Sequence, residues 1–342
     1  MAKKSLYKVG IVGATGLVGG ELIQLLEREG FPVESLRLFA GFDDAGEKLE
    51  WEGEEILVEP IRADYFQGLD LVFFSAHPMV SRDLAEEAEK AGVVVIDASR
   101  EWRLVPEIAL VVPEVNPDSL ERFFPKRKII ASPSPGSVAL SLVLAPLLRE
   151  FGIERAWAIA LYGSTQGGRA GFEEHQQQTI AIFNQQDFEI KKFPRQSAFN
   201  VFPQVGRLLG EESEEERDIK QELKKILAEP DLKISLTCAQ IPVFCGLSIA
   251  LAVEVKRSAS AQELRELLSQ SAGIKVMDNP EEEIYPDTLA CLEEDRVLVG
   301  RIRQEPEEKN LFQLWLSSDN LRKGSSLNMI QIAQLLIAKG LI

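Results

Sequence analysis

Three glycines, Gly13, Gly16 and Gly19, recur at G-x-x-G-x-x-G spacing in the stretch GATGLVG. Missing side chains at that spacing let backbone N–H groups approach a pyrophosphate, and the N-terminus of a helix that follows adds partial positive charge. The contacts such a turn would offer come from Gly13, Thr15, Gly16, Leu17, Val18 and Gly19. After the next strand stand Asp43 and Asp44, in AGFDDAG. A carboxylate there suits the ribose 2′-hydroxyl of NAD and repels the 2′-phosphate of NADP, so NAD is favoured over NADP. An equal reading is an exposed acidic loop that touches nothing, in a chain that holds no dinucleotide. A second stretch, Ile130–Leu140 (IASPSPGSVAL), has the form of a helix start: Ser134 suits an N-cap and Pro135 the first helical position. It contains no thiol, imidazole or carboxylate.

These groups need elements to hold them. Tyr7 to Val12 reads as a strand, and Leu17 to Glu29 carries helical apolar spacing through Leu22, Ile23, Leu25 and Leu26, which gives the strand, turn, helix context the glycines require. Further strands at Ser35 to Ala40, Ile56 to Ile61, Leu69 to Ser75 and Val93 to Asp97, with a helix from Ser81 to Ala91, predict an N-terminal Rossmann-like, doubly wound parallel sheet. A helix from Pro135 to Phe151 follows. Alternating strands at Ile153 to Tyr162, Ile234 to Val243, Ser248 to Lys256, Val297 to Gln304 and Phe312 to Ser317 predict an α+β domain whose sheet is mainly antiparallel, with one face covered by helices. The expected domains are 1–132, completed by the terminal segment 320–342, and 133–319. The acidic run Glu211–Glu216 reads as a solvated helix start.

Length and composition agree: 342 residues, 45% apolar and 27% charged, describe a globular chain of about two domains. A net charge of −16 with no segregated basic patch disfavours nucleic acid and anionic lipid as partners. No apolar run approaches the roughly 20 residues of a bilayer span, and MAKKSLYKVG leads into a strand, not a signal segment. Cys238, Cys245 and Cys291 are too few for a disulfide framework or a zinc site, which fits a reducing, cytoplasmic setting.

Taken together, GATGLVGGELIQLLEREGFPVESLRLFA, VVVIDASREWRLVPEIALVVPEVNP, IIASPSPGSVALSLVLAPLL, AFNVFPQVGRL, ISLTCAQIPVFCGLSIALAVEV and SSDNLRKGSSLNMIQIAQLL resemble the aspartate-semialdehyde dehydrogenase family in order and position across the whole chain. The resemblance implies a homodimer and a nicotinamide cofactor, with Ser75 and Asn320 added to the cofactor contacts. It implies a cysteine thiolate at a helix N-terminus that attacks an aldehyde, hydride transfer to NADP, and cleavage of the thioacyl intermediate by phosphate. A helix N-terminus favours such a thiolate.

Position by position, the resemblance puts Pro135 where the cysteine belongs, Gly163 where an orienting glutamine belongs, Gln240 where a substrate-binding arginine belongs, and Leu247 where the base histidine belongs. Asp218 aligns loosely with a lysine. Arg103 and Glu222 match the family's phosphate-binding arginine and a substrate-site carboxylate, remnants of the anion and substrate site. Nucleophile, base, orienting amide and cation are lost together, so the family's reaction is expected to be absent.

Substitute nucleophiles would be Ser134, Ser137, Cys238 or Cys245. A hydroxyl without a base is a poor nucleophile, and free cysteine is most often a small buried apolar residue. His77, at the carboxyl edge of the sheet, is either a base or a loop-packing residue, and His175 reads as a surface or dimer-contact residue. Three readings result: a non-catalytic homodimeric paralogue; an active NAD(P)-dependent oxidoreductase of altered chemistry acting on an aldehyde or related substrate; and an interaction partner of an active homologue.

Overall fold

The computed structural model describes residues 6–124 and 126–342; the first half of the MAKKSLYKVG stretch lies outside them. They form two compact units. One comprises the residues up to Ser134 together with Ser325–Ile342, and the other is Pro135–Gly324.

The first unit alternates strand and helix: β1 (Tyr7–Val12), α1 (Leu17–Arg28), β2 (Val33–Ala40), β3 (Lys48–Trp51), β4 (Glu54–Pro60), β5 (Leu71–Phe74), α2 (Pro78–Lys90), β6 (Val94–Asp97), β7 (Ala109–Leu110), α3 (Asp118–Phe123) and β8 (Ile129–Ala131). The sheet order is β3-β4-β2-β1-β5-β6-β8-β7, parallel throughout except where β3 meets β4. Both faces are covered, so the strands read as continuous apolar runs. Val9, Ile11, Leu71 and Phe73 point into a core shared with Leu22, Ile23, Leu25 and Leu26 of α1 and with Met329, Ile330 and Ala333 of the C-terminal helix. On β5 the alternate residue Phe74 meets Phe66, with ring centroids 5.8 Å apart. The sequence reading started α2 at Ser81; it starts at Pro78, because His77 caps it and Pro78 takes the first helical position.

The second unit carries α4 (Pro135–Phe151), β9 (Ile153–Tyr162), α5 (Gly168–Phe183), β10 (Leu208–Leu209), β11 (Glu212–Ser213), α6 (Glu214–Ile226), β12 (Ile234–Gln240), β13 (Leu247–Val255), α7 (Ala261–Ser269), β14 (Ile274–Val276), β15 (Val297–Gln304) and β16 (Leu311–Ser318). The C-terminal helix of the first unit, Leu327–Ala338, is α8. The main sheet runs β12-β9-β13-β16-β15-β14, with the three inner pairings antiparallel and the two outer ones parallel. Helix α4, buried along nearly its whole length, packs against β9, β13 and β16. Along β9, Ala156, Ala158, Ala160 and Tyr162 are buried, while Trp157 and Ile159 are exposed on the other face.

The acidic run starts a helix as expected but is only partly solvated, with Glu211 exposed and Glu216 buried. Ser213 caps α6 in a reciprocal box with Glu216, and the buried Glu216 carboxylate also accepts from the Cys238 backbone N–H at 2.8 Å. A carboxylate accepting two backbone donors can be buried where a free one cannot.

Candidate functional site

The glycine turn lies between β1 and α1. Gly13 N–H and Ala14 N–H both donate to Phe39 O, at 2.8 and 3.1 Å, which ties the turn to the end of β2. Gly13 has φ +83°, and a Cβ there would stand 2.7 Å from Ser75 O. A Cβ on Gly19 would stand 2.7 Å from Ala14 Cα. Both glycines are therefore demanded by the turn itself. Gly16 is different: its only close neighbour would be Gly13 O at 3.3 Å, so its bareness leaves open room. Gly16 is the N-cap of α1 with no side-chain cap and no acidic residue in the first turn, which leaves Leu17 and Val18 N–H pointing out of the helix end. This arrangement fits a pyrophosphate.

The surrounding residues are engaged in distinct ways. Ser75 Oγ donates to Val12 O at 3.1 Å and so braces the turn. Thr15 Oγ1 donates to Asp44 Oδ2 at 2.7 Å, a contact the sequence reading missed, whereas Asp43 is exposed. Arg103 donates from Nε to Ser132 O at 3.1 Å and from Nη2 to Ala98 O at 2.6 Å. His77 is exposed, and its Nδ1 accepts from Met79 N–H at 3.3 Å.

In the second unit, four buried residues form one row across the sheet: Gln240, Tyr162, Leu247 and Ser318 pair in register from β12 through β9 and β13 to β16. The first turn of α4 meets this row, since a Cβ on Gly136 would stand 2.5 Å from Tyr162 Oη and 2.6 Å from Ile219 Cδ1. Tyr162 Oη donates to Glu215 Oε1 at 2.9 Å. Burial, Glu215, Cys238 and the buried Glu222 hold the phenol well above its ordinary pKa, so it stays a neutral donor. Gln240 turns its amide onto Tyr162 O at 2.9 Å. Gly163 begins the next loop, where a Cβ would stand 2.9 Å from Phe244 O. Asn320 lies in this second unit, and its buried amide oxygen accepts from Thr165 Oγ1 at 3.1 Å and from Gly246 N–H at 2.9 Å.

None of the thiols is activated. Burial and the nearby Glu215 and Glu216 push Cys238 up, burial and Asp319 push Cys245 up, and the same two causes carry Cys291 up to about 12. His175 is not a surface residue. It is buried on α5, with Nδ1 3.0 Å from Ser197 Oγ and its ring edge-on to Phe244 at 4.8 Å, and burial lowers its pKa. The loop beyond α5 covers this helix face and satisfies its polar groups. Among the described residues no cluster of His, Cys, Asp or Glu could hold a metal, and no helix is long and apolar enough to cross a membrane.

Residues 8–123 match the semialdehyde dehydrogenase NAD binding domain, and residues 144–323 match the semialdehyde dehydrogenase dimerisation domain. An aspartate-semialdehyde dehydrogenase of Aquifex aeolicus is 37% identical over 98% of this chain and 99% of its own. The chain belongs to the aspartate-semialdehyde dehydrogenase family. Within that family, the structure of aspartate semialdehyde dehydrogenase II from Vibrio cholerae, complexed with ASA, superposes with a TM-score of 0.94 at 32% identity, covering 98% of this chain and 99% of that one. A probable aspartate-semialdehyde dehydrogenase from Pseudomonas aeruginosa gives 0.88 at 33% identity over 97% and 98%. The parallel sheet and the mainly antiparallel sheet read from the sequence are those of this family.

Proposed function

We propose that this chain is a homodimeric member of the aspartate-semialdehyde dehydrogenase family that keeps the dinucleotide fold, with NAD favoured over NADP, and does not carry out the family's reaction. One observation carries the reading: the first residue of α4 is Pro135, where the resemblance puts the reactive thiol, and Tyr162 and Ile219 close in over the next residue, Gly136. A proline has neither a nucleophile nor an acidic proton, and the helix end therefore has nothing to activate. The neighbourhood agrees. Gln240 offers an amide already bonded to the backbone, Leu247 cannot take a proton, and Gly163 has no room for a side chain without moving the Phe244 carbonyl. A bound dinucleotide would supply or accept hydride; on this chain the groups fit to hold its pyrophosphate are the N–H groups at the start of α1. His77 is the weaker candidate for a base, since its Nδ1 already accepts at the start of α2.

The test is turnover of aspartate semialdehyde by the purified chain, with phosphate and either nicotinamide cofactor, beside an active family member. No phosphate-dependent cofactor change above the enzyme-free control is expected, and no acyl adduct by mass spectrometry. Turnover at rates near those of the active member, or a trapped covalent fragment, overturns the reading. Thermal shift with NAD is expected to raise the melting temperature, because a ligand that binds only the native state stabilises it by mass action.

A further inference from the structure

We propose that Asp44, and not Asp43, sets dinucleotide selectivity in this chain, with Thr15 as the residue that positions it; this rests on the dinucleotide reading above. Thr15 belongs to the glycine turn, and its hydroxyl holds one oxygen of the half-buried Asp44 carboxylate at 2.7 Å. The backbone on either side is fixed as well. Asp44 N–H donates to Gly41 O at 3.2 Å, Gly46 N–H to Val58 O at 2.9 Å, and Val58 N–H to Glu47 O at 2.8 Å, so the loop is laced to β4. The turn itself is laced to β2 through Phe39 O. One carboxylate oxygen is therefore held still beside the phosphate-binding turn, and Oδ1 has no hydrogen-bond partner among the described residues.

That free oxygen can accept from a ribose 2′-hydroxyl in a charge-assisted hydrogen bond, while a 2′-phosphate brought to the same place meets a fixed negative charge. The cations that flank the loop in sequence do not offset this: Arg37 is paired with Glu59 and Lys48 with Glu55. Asp43 is exposed and makes no side-chain hydrogen bond among the described residues, so nothing orients it.

Titration of NADH and NADPH into the full chain, read by nucleotide fluorescence, tests the assignment. The wild type is expected to favour NADH by about tenfold or more, and Asp44→Ser to narrow that preference by about tenfold, the size of one lost charge-assisted bond. Asp43→Ser is expected to leave it within about twofold. Thr15→Val should narrow the preference and Thr15→Ser restore it, with thermal melts confirming that each variant is folded. A preference unchanged in Asp44→Ser, or shifted by Asp43→Ser instead, overturns the assignment. Equal wild-type affinities for the two nucleotides overturn it while leaving the dinucleotide reading in place; a wild type that binds neither overturns both.

Discussion

Burial and neighbouring carboxylates act in the same direction on all three thiols, and so set their order of reactivity. Cys238 and Cys291 are fully buried with strongly raised pKa, while Cys245 is only partly covered. Since the thiolate is the reacting species, iodoacetamide at neutral pH is expected to modify Cys245 slowly and the other two only after unfolding, as peptide mapping of native and denatured samples would show. His175 makes a second prediction. Its folded-state pKa lies below its unfolded one, so the unfolded state takes up the proton first as pH falls and stability rises with pH in that window. The stabilisation should be complete above about pH 6.5, the ordinary histidine value, and be lost as pH falls toward the lower folded value. His175→Gln is expected to flatten that part of the melting-temperature profile between pH 5 and 7.

Among the elements, the β1–turn–α1 unit separates glycines needed for packing from one left open for a ligand. Gly19→Ala drives a methyl into the turn backbone and is expected to cost more than about 2 kcal/mol, whereas Gly16→Ala is expected to stay within about 1 kcal/mol and instead weaken nucleotide binding. Urea unfolding and NADH titration of the two variants check both halves. The elements also differ in how far the sequence announces them. Helix α4 was legible from Pro135 to Phe151 because a proline opens it and apolar residues fill it. Strand β3, and with it the hairpin to β4, was not: β3 is four residues long with charges at alternate positions, and its two-residue turn puts Glu52 at φ +50° before Gly53 at +78°, where Asn or Asp is the usual signal. His175 on α5, which reads as a surface or dimer-contact residue, is buried for a reason the sequence does not show. Glu174 accepts from Lys191 and Lys192 N–H, and Gln178 from Ser197 N–H, tertiary partners that no periodicity reveals. At the start of α4 the absence of a thiol, imidazole or carboxylate is plain from residue types, but the pairing of Tyr162 with Glu215 and of Thr15 with Asp44 needed the fold.

For the whole molecule, the proposed homodimer finds support in the open face of the second unit's sheet. Trp157 and Ile159 are exposed there, on the side of β9 opposite α4, and a 630 Å³ hollow runs past them to Trp315. Ile159→Asp is expected to move the chain from twice its mass to a single chain in light scattering after size exclusion; a wild type already monomeric at micromolar concentration counts against the dimer. The hard floor beneath Gly163 has a consequence of another kind. With Phe244 O 2.9 Å from where any Cβ must sit, a glutamine at 163 cannot be seated before the loop that carries Phe244 and Cys245 shifts. That loop is itself pinned: Thr165 N–H donates to Phe244 O at 2.9 Å, and Gly163 N–H to Gly246 O at 3.0 Å. Side chains placed at 163 and its neighbours one at a time would meet a steric ratchet, and rebuilding this pocket calls for grafting the whole loop at once.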